Sequence, residues 1–267
     1  MPARAVYVHL LPTLAGEDAL RGDVAVVIDV LRASTTIVHA LAAGATEVRP
    51  CGEVDEARRL TADLKRMGVP VLLGGERGGA PIPGFDLGNS PQDYTRDRCT
   101  GRTVVLTTTN GTRALLKATA ADRVIVAALV NGKAILDDLL ADARPAHLVC
   151  AGTDGEVTME DVLCAGLLVD TLASQTQSAK LNDSAQLALA ACKAHRDNLE
   201  AALLSSRGAA NLLPLGYEED IRVAARLDQC DIVPELSRDP LRLALHTPVG
   251  AGSARRSSQA KGNTWKT

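Results

Sequence analysis

Between residues 24 and 172 the apolar residues change their spacing repeatedly, and each change predicts a new element. Val24 to Val30 reads VAVVIDV, a continuous β-branched run followed by a polar cluster, which predicts a strand covered on both faces. Ser34, Thr35 and Thr36 offer an N-cap, Ile37 to Ala43 an apolar helical stretch, and Gly44 a C-cap. Glu47 to Pro50 predicts another strand, and Val54 to Met67 an amphipathic helix closed by Gly68. Val71 to Leu73 then predicts a strand that opens into Gly74-Gly75-Glu76-Arg77. Strand and helix alternate as in βαβ units, so the expected fold class is α/β, with three αβα layers around a largely parallel or mixed sheet.

The same order recurs at an offset of about 76 residues, as an internal duplication would give. Thr36 to Val48 aligns without a gap on Thr112 to Val124, and Val71 to Gly75 falls on His147 to Ala151. Any βαβ protein resembles itself at such a period, so two similar halves, about 20–95 and 96–170, stand as one of two readings. In either reading the segments 29–34, 74–79, 107–112 and 150–161 lie just beyond the carboxyl ends of strands, where open α/β sheets form their ligand crevice. Further on, Leu163 to Leu172, Ala185 to Leu204 and Glu218 to Leu227 read as helices, and Asp231 to Val233 as a short edge strand stopped by Pro234. Residues 1–246 are thus expected to form one domain whose part 171–246 is a helical cover, and residues 247–267 a disordered, polar, basic tail.

Composition narrows the function. Of the 267 residues 46% are hydrophobic and 23% charged, which excludes disorder throughout. A net charge of -3, with no basic block in the body of the chain, offers no footprint for a nucleic-acid backbone. Aromatics make up only 2%, so the core is expected to be aliphatic. No apolar run approaches the roughly 20 residues that cross a bilayer, and Met1 to Leu11 lacks signal-peptide character. The expectation is a cytoplasmic protein without a membrane partner, in which the six dispersed Cys residues are reduced and mostly buried. An exposed aliphatic helix face is compatible with a homodimer.

The polar segments carry the candidate chemistry. Asp29 and Arg32 follow a buried strand and precede a helix, where a bound anion would meet helix N–H groups and a bidentate guanidinium. An Asp29–Arg32 ion pair bracing the turn is the competing reading. In Thr107-Thr108-Thr109-Asn110-Gly111-Thr112 the hydroxyls, together with an Asn-Gly step able to reach positive φ, predict an anion-holding nest; an ordinary helix-capping turn is the alternative. The Gly/Pro-rich loop from Gly74 to Tyr94 presents Glu76, Arg77, Asp86, Asn89 and Ser90, with Phe85, the single Phe of the chain, as its expected anchor. Glu160 and Asp161 open a predicted helix, where acids commonly complement the dipole. Beside Asp29 and Glu76, however, they would make too many carboxylates to leave unpaired, and Mg²⁺ is the hard, oxygen-preferring cation such a set would take. The chain lacks a P-loop, a G-x-G-x-x-G after a strand, a D-x-D-x-[TV] nucleophile pattern, a thiol-phosphatase loop, an R-H-G and a His cluster.

Taken in order, VIDVLRASTTI, LLGGER, GFDLGNSP, LTTTNGT and CAGTDG followed by EDVLCAG resemble the 2-phosphosulfolactate phosphatases of the ComB type, from about Val24 to about Pro234. The resemblance implies a Mg²⁺-dependent phosphomonoesterase acting on a small anionic phosphorylated hydroxy acid. The reaction would convert 2-phospho-3-sulfolactate to 3-sulfolactate and phosphate, a step of coenzyme M biosynthesis. On that reading Asp29, Arg32 and Glu76 are catalytic, and Asp29, Glu76, Glu160 and Asp161 supply the metal ligands. Thr108, Thr109, Asn110, Gly111 and Thr112 would hold the phosphate, with Arg32, Arg77, Asn89 and Ser90 toward the remaining anionic groups. The chain departs from the family at Ser206-Arg207-Gly208-Ala209-Ala210, where a His-Gly-Arg type sequence is usual. Another 2-phospho-hydroxy acid, or a non-catalytic polyanion binder, stays open, as does attack by water directly or through a phosphoenzyme.

Overall fold

The computed structural model describes residues 4–175 and 179–245; the expected tail at 247–267 lies outside the described residues. The chain begins with strand β1 (Ala5–His9), helix α1 (Glu17–Leu20) and strand β2 (Val24–Ile28). Then come α2 (Ala33–Ala42), β3 (Glu47–Pro50), α3 (Val54–Arg66), β4 (Val71–Arg77) and the two-residue β5 (Ala80–Pro81). A second run follows: α4 (Arg96–Cys99), β6 (Thr103–Thr107), α5 (Gly111–Ala118), β7 (Arg123–Ala127), α6 (Gly132–Ala141) and β8 (Ala146–Cys150). The last part holds α7 (Met159–Gln175), β9 (Lys180–Leu181), α8 (Asp183–His195), α9 (Leu199–Leu204), α10 (Arg207–Leu212), α11 (Glu218–Ala224), β10 (Pro234–Arg238) and β11 (Leu241–Leu245).

Among the described residues the strands form one mixed sheet of order β5-β4-β6-β3-β11-β10-β7-β2-β8-β1-β9, flanked by helices, consistent with a three-layer α/β fold. Two stretches share the order strand, helix, strand, helix, strand: β2-α2-β3-α3-β4 and β6-α5-β7-α6-β8. In the sheet their strands interleave. β2 runs parallel between β7 and β8, and β6 parallel between β3 and β4. The continuous apolar run of β2 follows from burial on both faces: Val24, Val26 and Ile28 join one core, Ala25 and Val27 another. The second of these cores also takes Val104 and Leu106 from β6. On a flat sheet five spacings of roughly 4.8 Å would hold β2 and β6 about 24 Å apart. The sheet is therefore curled around that core, which turns the carboxyl ends of β2 and β6 toward each other.

Several expectations are corrected. The C-terminal strand is neither at Asp231 to Val233 nor at an edge: β10 and β11 form an antiparallel hairpin at the centre of the sheet, between β7 and β3. Leu236 and Leu243, both buried, fill the core beneath it. The helix expected over Ala185 to Leu204 breaks at Arg196–Asn198, where the Asn198 side chain caps α9 by accepting from the Ala201 N–H. The one expected over Glu218 to Leu227 ends at Ala224. Strand β4 continues through Arg77, so Glu76 and Arg77 lie on a strand rather than in a loop. Strand β1 went unforeseen, although Val6 and Val8 alternate inward as a half-buried strand requires. Phe85 does pack on the core beneath α3, with the Arg58 guanidinium 5.7 Å from its ring centre. Five of the six Cys residues are buried and all six are free thiols.

Candidate functional site

A pocket of about 310 Å³ opens where β2, β4 and β6 end and α10 covers them. Of the residues singled out in the sequence, Asp29, Arg32, Glu76, Asn89, Thr108, Thr109 and Asn110 line it. Gly78, Gly79, Thr153 and Asp154 complete the strand-end wall; Gly208, Asn211, Leu212, Pro214 and Leu215 form the cover.

Asp29 ends β2 with its carboxylate turned back onto the chain, and Oδ1 accepts the Ala33 N–H at 3.1 Å. Asp29 thus does the capping expected of the three hydroxyl residues that follow. Those residues pin the loop instead. Ser34 Oγ accepts the Asp29 N–H at 2.9 Å, Thr35 donates to the Val30 carbonyl at 2.7 Å, and Thr36 donates to the Asn89 carbonyl at 2.9 Å. Burial raises the Asp29 pKa, and the Glu76 and Glu160 carboxylates raise it further; against the Ala33 N–H and the Arg32 charge it reaches about 7. Glu76 is fixed on both oxygens, Oε2 accepting the Gly79 N–H and Oε1 the Thr109 N–H, each at 2.7 Å.

Arg32 does not pair with Asp29. Its Nη1 meets Asp220 Oδ2 at 2.7 Å, its Nη2 donates to the Gly79 carbonyl at 2.7 Å, and the guanidinium lies 4.2 Å from the Tyr217 ring centre. Asp220, from α11, also accepts from Ser90 Oγ at 2.7 Å and Gln92 Nε2 at 2.9 Å. Ser90 therefore serves the Arg32 support and leaves the pocket wall. Asp220 went unnoticed in the sequence because Glu218-Glu219-Asp220 reads as a first-turn acidic trio, and only the fold shows which member turns inward.

Asn110 and Gly111 open α5, and neither has positive φ, so the left-handed nest is absent. Gly111 answers a different need. A Cβ there would collide with the Ala33 Cβ and stand 2.6 Å from Asp29 Oδ2, so glycine lets the starts of α2 and α5 meet. Thr108 and Thr112 are occupied with each other: the Thr108 N–H donates to Thr112 Oγ1 and the Thr112 N–H to Thr108 Oγ1, each at 3.2 Å. Thr109 Oγ1 and Asn89 Oδ1, buried at the wall, have no partner among the described residues.

Three further candidates leave the pocket. Arg77 donates to the Glu76 carbonyl at 2.8 Å, to Thr107 Oγ1 at 3.0 Å and to the Gly52 carbonyl at 3.3 Å. Asp161 accepts the Val30 N–H at 2.8 Å and the Gly152 N–H at 3.0 Å, tying two strand ends together; burial raises its pKa well above the usual carboxylate range. Glu160 lies directly behind the wall, packed under Gly208, where a Cβ would strike its Oε1. Burial raises its pKa too, and its Oε2 has no partner among the described residues. Both acids are thus buried parts of the site's frame and not dipole complements at an exposed helix start. Among the described residues no three His, Cys, Asp or Glu side chains form a ready-made ion cage. Nor is any helix long and apolar enough to cross a membrane.

With this geometry in place, comparison with known proteins identifies the relatives of the chain. The sequence profile described as 2-phosphosulpholactate phosphatase matches residues 9–239. A protein of Caldicellulosiruptor saccharolyticus is 39% identical over 224 residues, 82% of this chain and 91% of its own length. One of Symbiobacterium thermophilum is 40% identical over 217 residues, 81% and 92% respectively. One of Clostridium perfringens is 37% identical over 225 residues, 84% and 90%. Each bears the name probable 2-phosphosulfolactate phosphatase.

Proposed function

This chain belongs to the 2-phosphosulfolactate phosphatase family, and we propose that it is a phosphoric monoester hydrolase releasing phosphate from 2-phospho-3-sulfolactate, in a cytoplasmic reaction of the coenzyme M biosynthetic type. One observation carries the reading: a single pocket sets two buried carboxylates, Asp29 and Glu76, and the guanidinium of Arg32 around two partnerless polar atoms, Thr109 Oγ1 and Asn89 Oδ1.

The wall is acidic, with Asp29, Glu76 and Asp154 against Arg32, while the substrate carries phosphate, carboxylate and sulfonate. Such a pair repels unless a cation stands between them. The Glu160 Oε2 without a partner among the described residues, and the Asp29 pKa raised by burial and by the Glu76 and Glu160 carboxylates, mark the same excess of negative charge. These residues fit Mg²⁺, which takes one or two carboxylates and completes its shell with water and phosphate oxygens. Asp29 and Glu76, which line the pocket, would hold it, with Glu160 behind them, and Asp161 drops out because it does not reach the pocket and ties Val30 to Gly152 instead. When bound, the ion would neutralise charge on the phosphoryl oxygens and on the departing alkoxide.

The chain's own residues would do the rest. Arg32, locked by Asp220 and Tyr217, presents its remaining N–H groups to the transferring phosphoryl without rearrangement. The starts of α2 and α5 add partial positive charge from two directions, the Thr109 hydroxyl can donate to a phosphoryl oxygen, and Asn89 Oδ1 can accept from a water in the pocket. Water provides the oxygen added to phosphorus as the bond to the C2 oxygen breaks, and that oxygen leaves with a proton. Phosphate release from 2-phospho-3-sulfolactate, against a panel of other 2-phospho-hydroxy acids, in Mg²⁺ and then with chelator, tests the reading. Release that is selective and abolished by chelator is expected; silence across the panel would refute it.

A further inference from the structure

The pocket wall holds one cation among the described residues, Arg32, and Asp220 already engages it. A ligand with two anionic arms besides its phosphate therefore needs another positive group close by. Arg207 is such a group. It is the residue before Gly208 of the cover, its side chain is 43% exposed, and its Nη1 meets Glu156 Oε2 at 2.6 Å. Glu156 closes the tight turn that presents Thr153 and Asp154, with Thr153 and Glu156 exchanging N–H···O bonds of 2.9 and 3.0 Å. The ion pair thus bridges the two elements that flank the mouth, the 153–156 turn and α10. Both partners face water, so the pair itself contributes little and is readily exchanged.

We propose that Arg207 is a specificity-determining residue that releases Glu156 and takes an anionic arm of the ligand, the carboxylate or sulfonate that is not attacked. The proposal rests on the phosphatase reading of this pocket and adds a second subsite to it. No bond is made or broken in the exchange; one carboxylate leaves the guanidinium and another oxyanion replaces it. The planar fork of Arg207 suits either arm. Glu156 fixes Arg207 beside the mouth and is a competitor that only a strongly anionic ligand displaces.

Two unreactive probes separate this subsite from the phosphate site: 3-sulfolactate, which carries both arms and no phosphate, and inorganic phosphate. Both are titrated into the full-length chain in Mg²⁺ by calorimetry. Arg207→Ala is expected to weaken 3-sulfolactate by about 10-fold or more, the scale of a lost charge-assisted hydrogen bond, and to leave phosphate within about 2-fold. Arg207→Lys should fall between. Glu156→Gln is expected to tighten 3-sulfolactate by about 2–5-fold, the scale of an exposed ion pair. In turnover, Arg207→Ala should raise KM with kcat kept for 2-phospho-3-sulfolactate and leave glycerol 2-phosphate, whose arms are neutral, unchanged. Equal losses for both probes, no loss, weaker binding in Glu156→Gln, or a wild type that ignores 3-sulfolactate would each overturn the proposal. A wild type that binds 3-sulfolactate through Arg207 yet hydrolyses neither ester would sink the phosphatase reading alone.

Discussion

Asp29 and Arg77 show how far a residue's place in the sequence determines its task. Asp29→Asn preserves the shape and the acceptor for the Ala33 N–H but removes the charge from a carboxylate crowded by Glu76 and Glu160. Phosphate release should fall to background while the thermal midpoint holds or rises, because one repelling charge is gone; assay and melting curve together check it, and wild-type-like turnover would exclude Asp29 from the chemistry. Arg77, although it follows Glu76 directly, turns its guanidinium into the frame toward the Gly52 carbonyl and Thr107. Arg77→Ala is therefore expected to cost about 2 kcal/mol of stability and to leave the KM ratio between sulfonated and plain esters unchanged. A change in that ratio would return Arg77 to the pocket.

At the level of elements, what could be read from the chain was set by how local the cause is. Runs such as VAVVIDV announce a doubly buried strand by themselves, and Asp29, Glu76 and Thr109 share one pocket because topology gathers the strand ends, although Glu76 itself lies on β4 and not in a loop. The central hairpin was hidden: Arg238-Asp239-Pro240-Leu241-Arg242 looks solvated, and Leu236 and Leu243 gain their role only from strands made much earlier in the chain. Nor could spacing tell that Asp220 supports Arg32, a contact spanning 188 positions. Long-range ion pairs tie the hairpin in. Arg123 on β7 meets Glu235 of β10 at 2.8 Å and Asp138 of α6 at 2.7 Å, with Asp142 at 3.5 Å. The Arg144 side chain, with its backbone N–H and Arg123 adding, pulls Asp142 from an ordinary 3.8 down to about 2. A depressed carboxyl pKa gives stability that is complete above about pH 4 and lost as pH falls through 2. The difference in urea midpoint between wild type and Asp142→Asn should accordingly be largest near neutrality and close below pH 3. A constant gap across that range would mean that packing, not charge, sets it.

Across the whole molecule the interleaved strands leave neither stretch a sheet of its own: β2 has its neighbours in β7 and β8, and β6 in β3 and β4. Heat or urea should consequently melt the described core in a single transition, with calorimetric and van't Hoff enthalpies equal. Two resolved transitions would mean that the stretches hold together separately. The same interleaving governs the order of events at the ribosome. A nascent chain that has emerged only through β4 has four strands, no two of which are neighbours in the finished sheet, and no partner for β2, so half-made copies expose their aliphatic faces until residues 123–150 arrive. Closure of the curled sheet waits longer still, for the hairpin at 234–245, so strands made early stay unclosed until the last two strands of the described residues have been made.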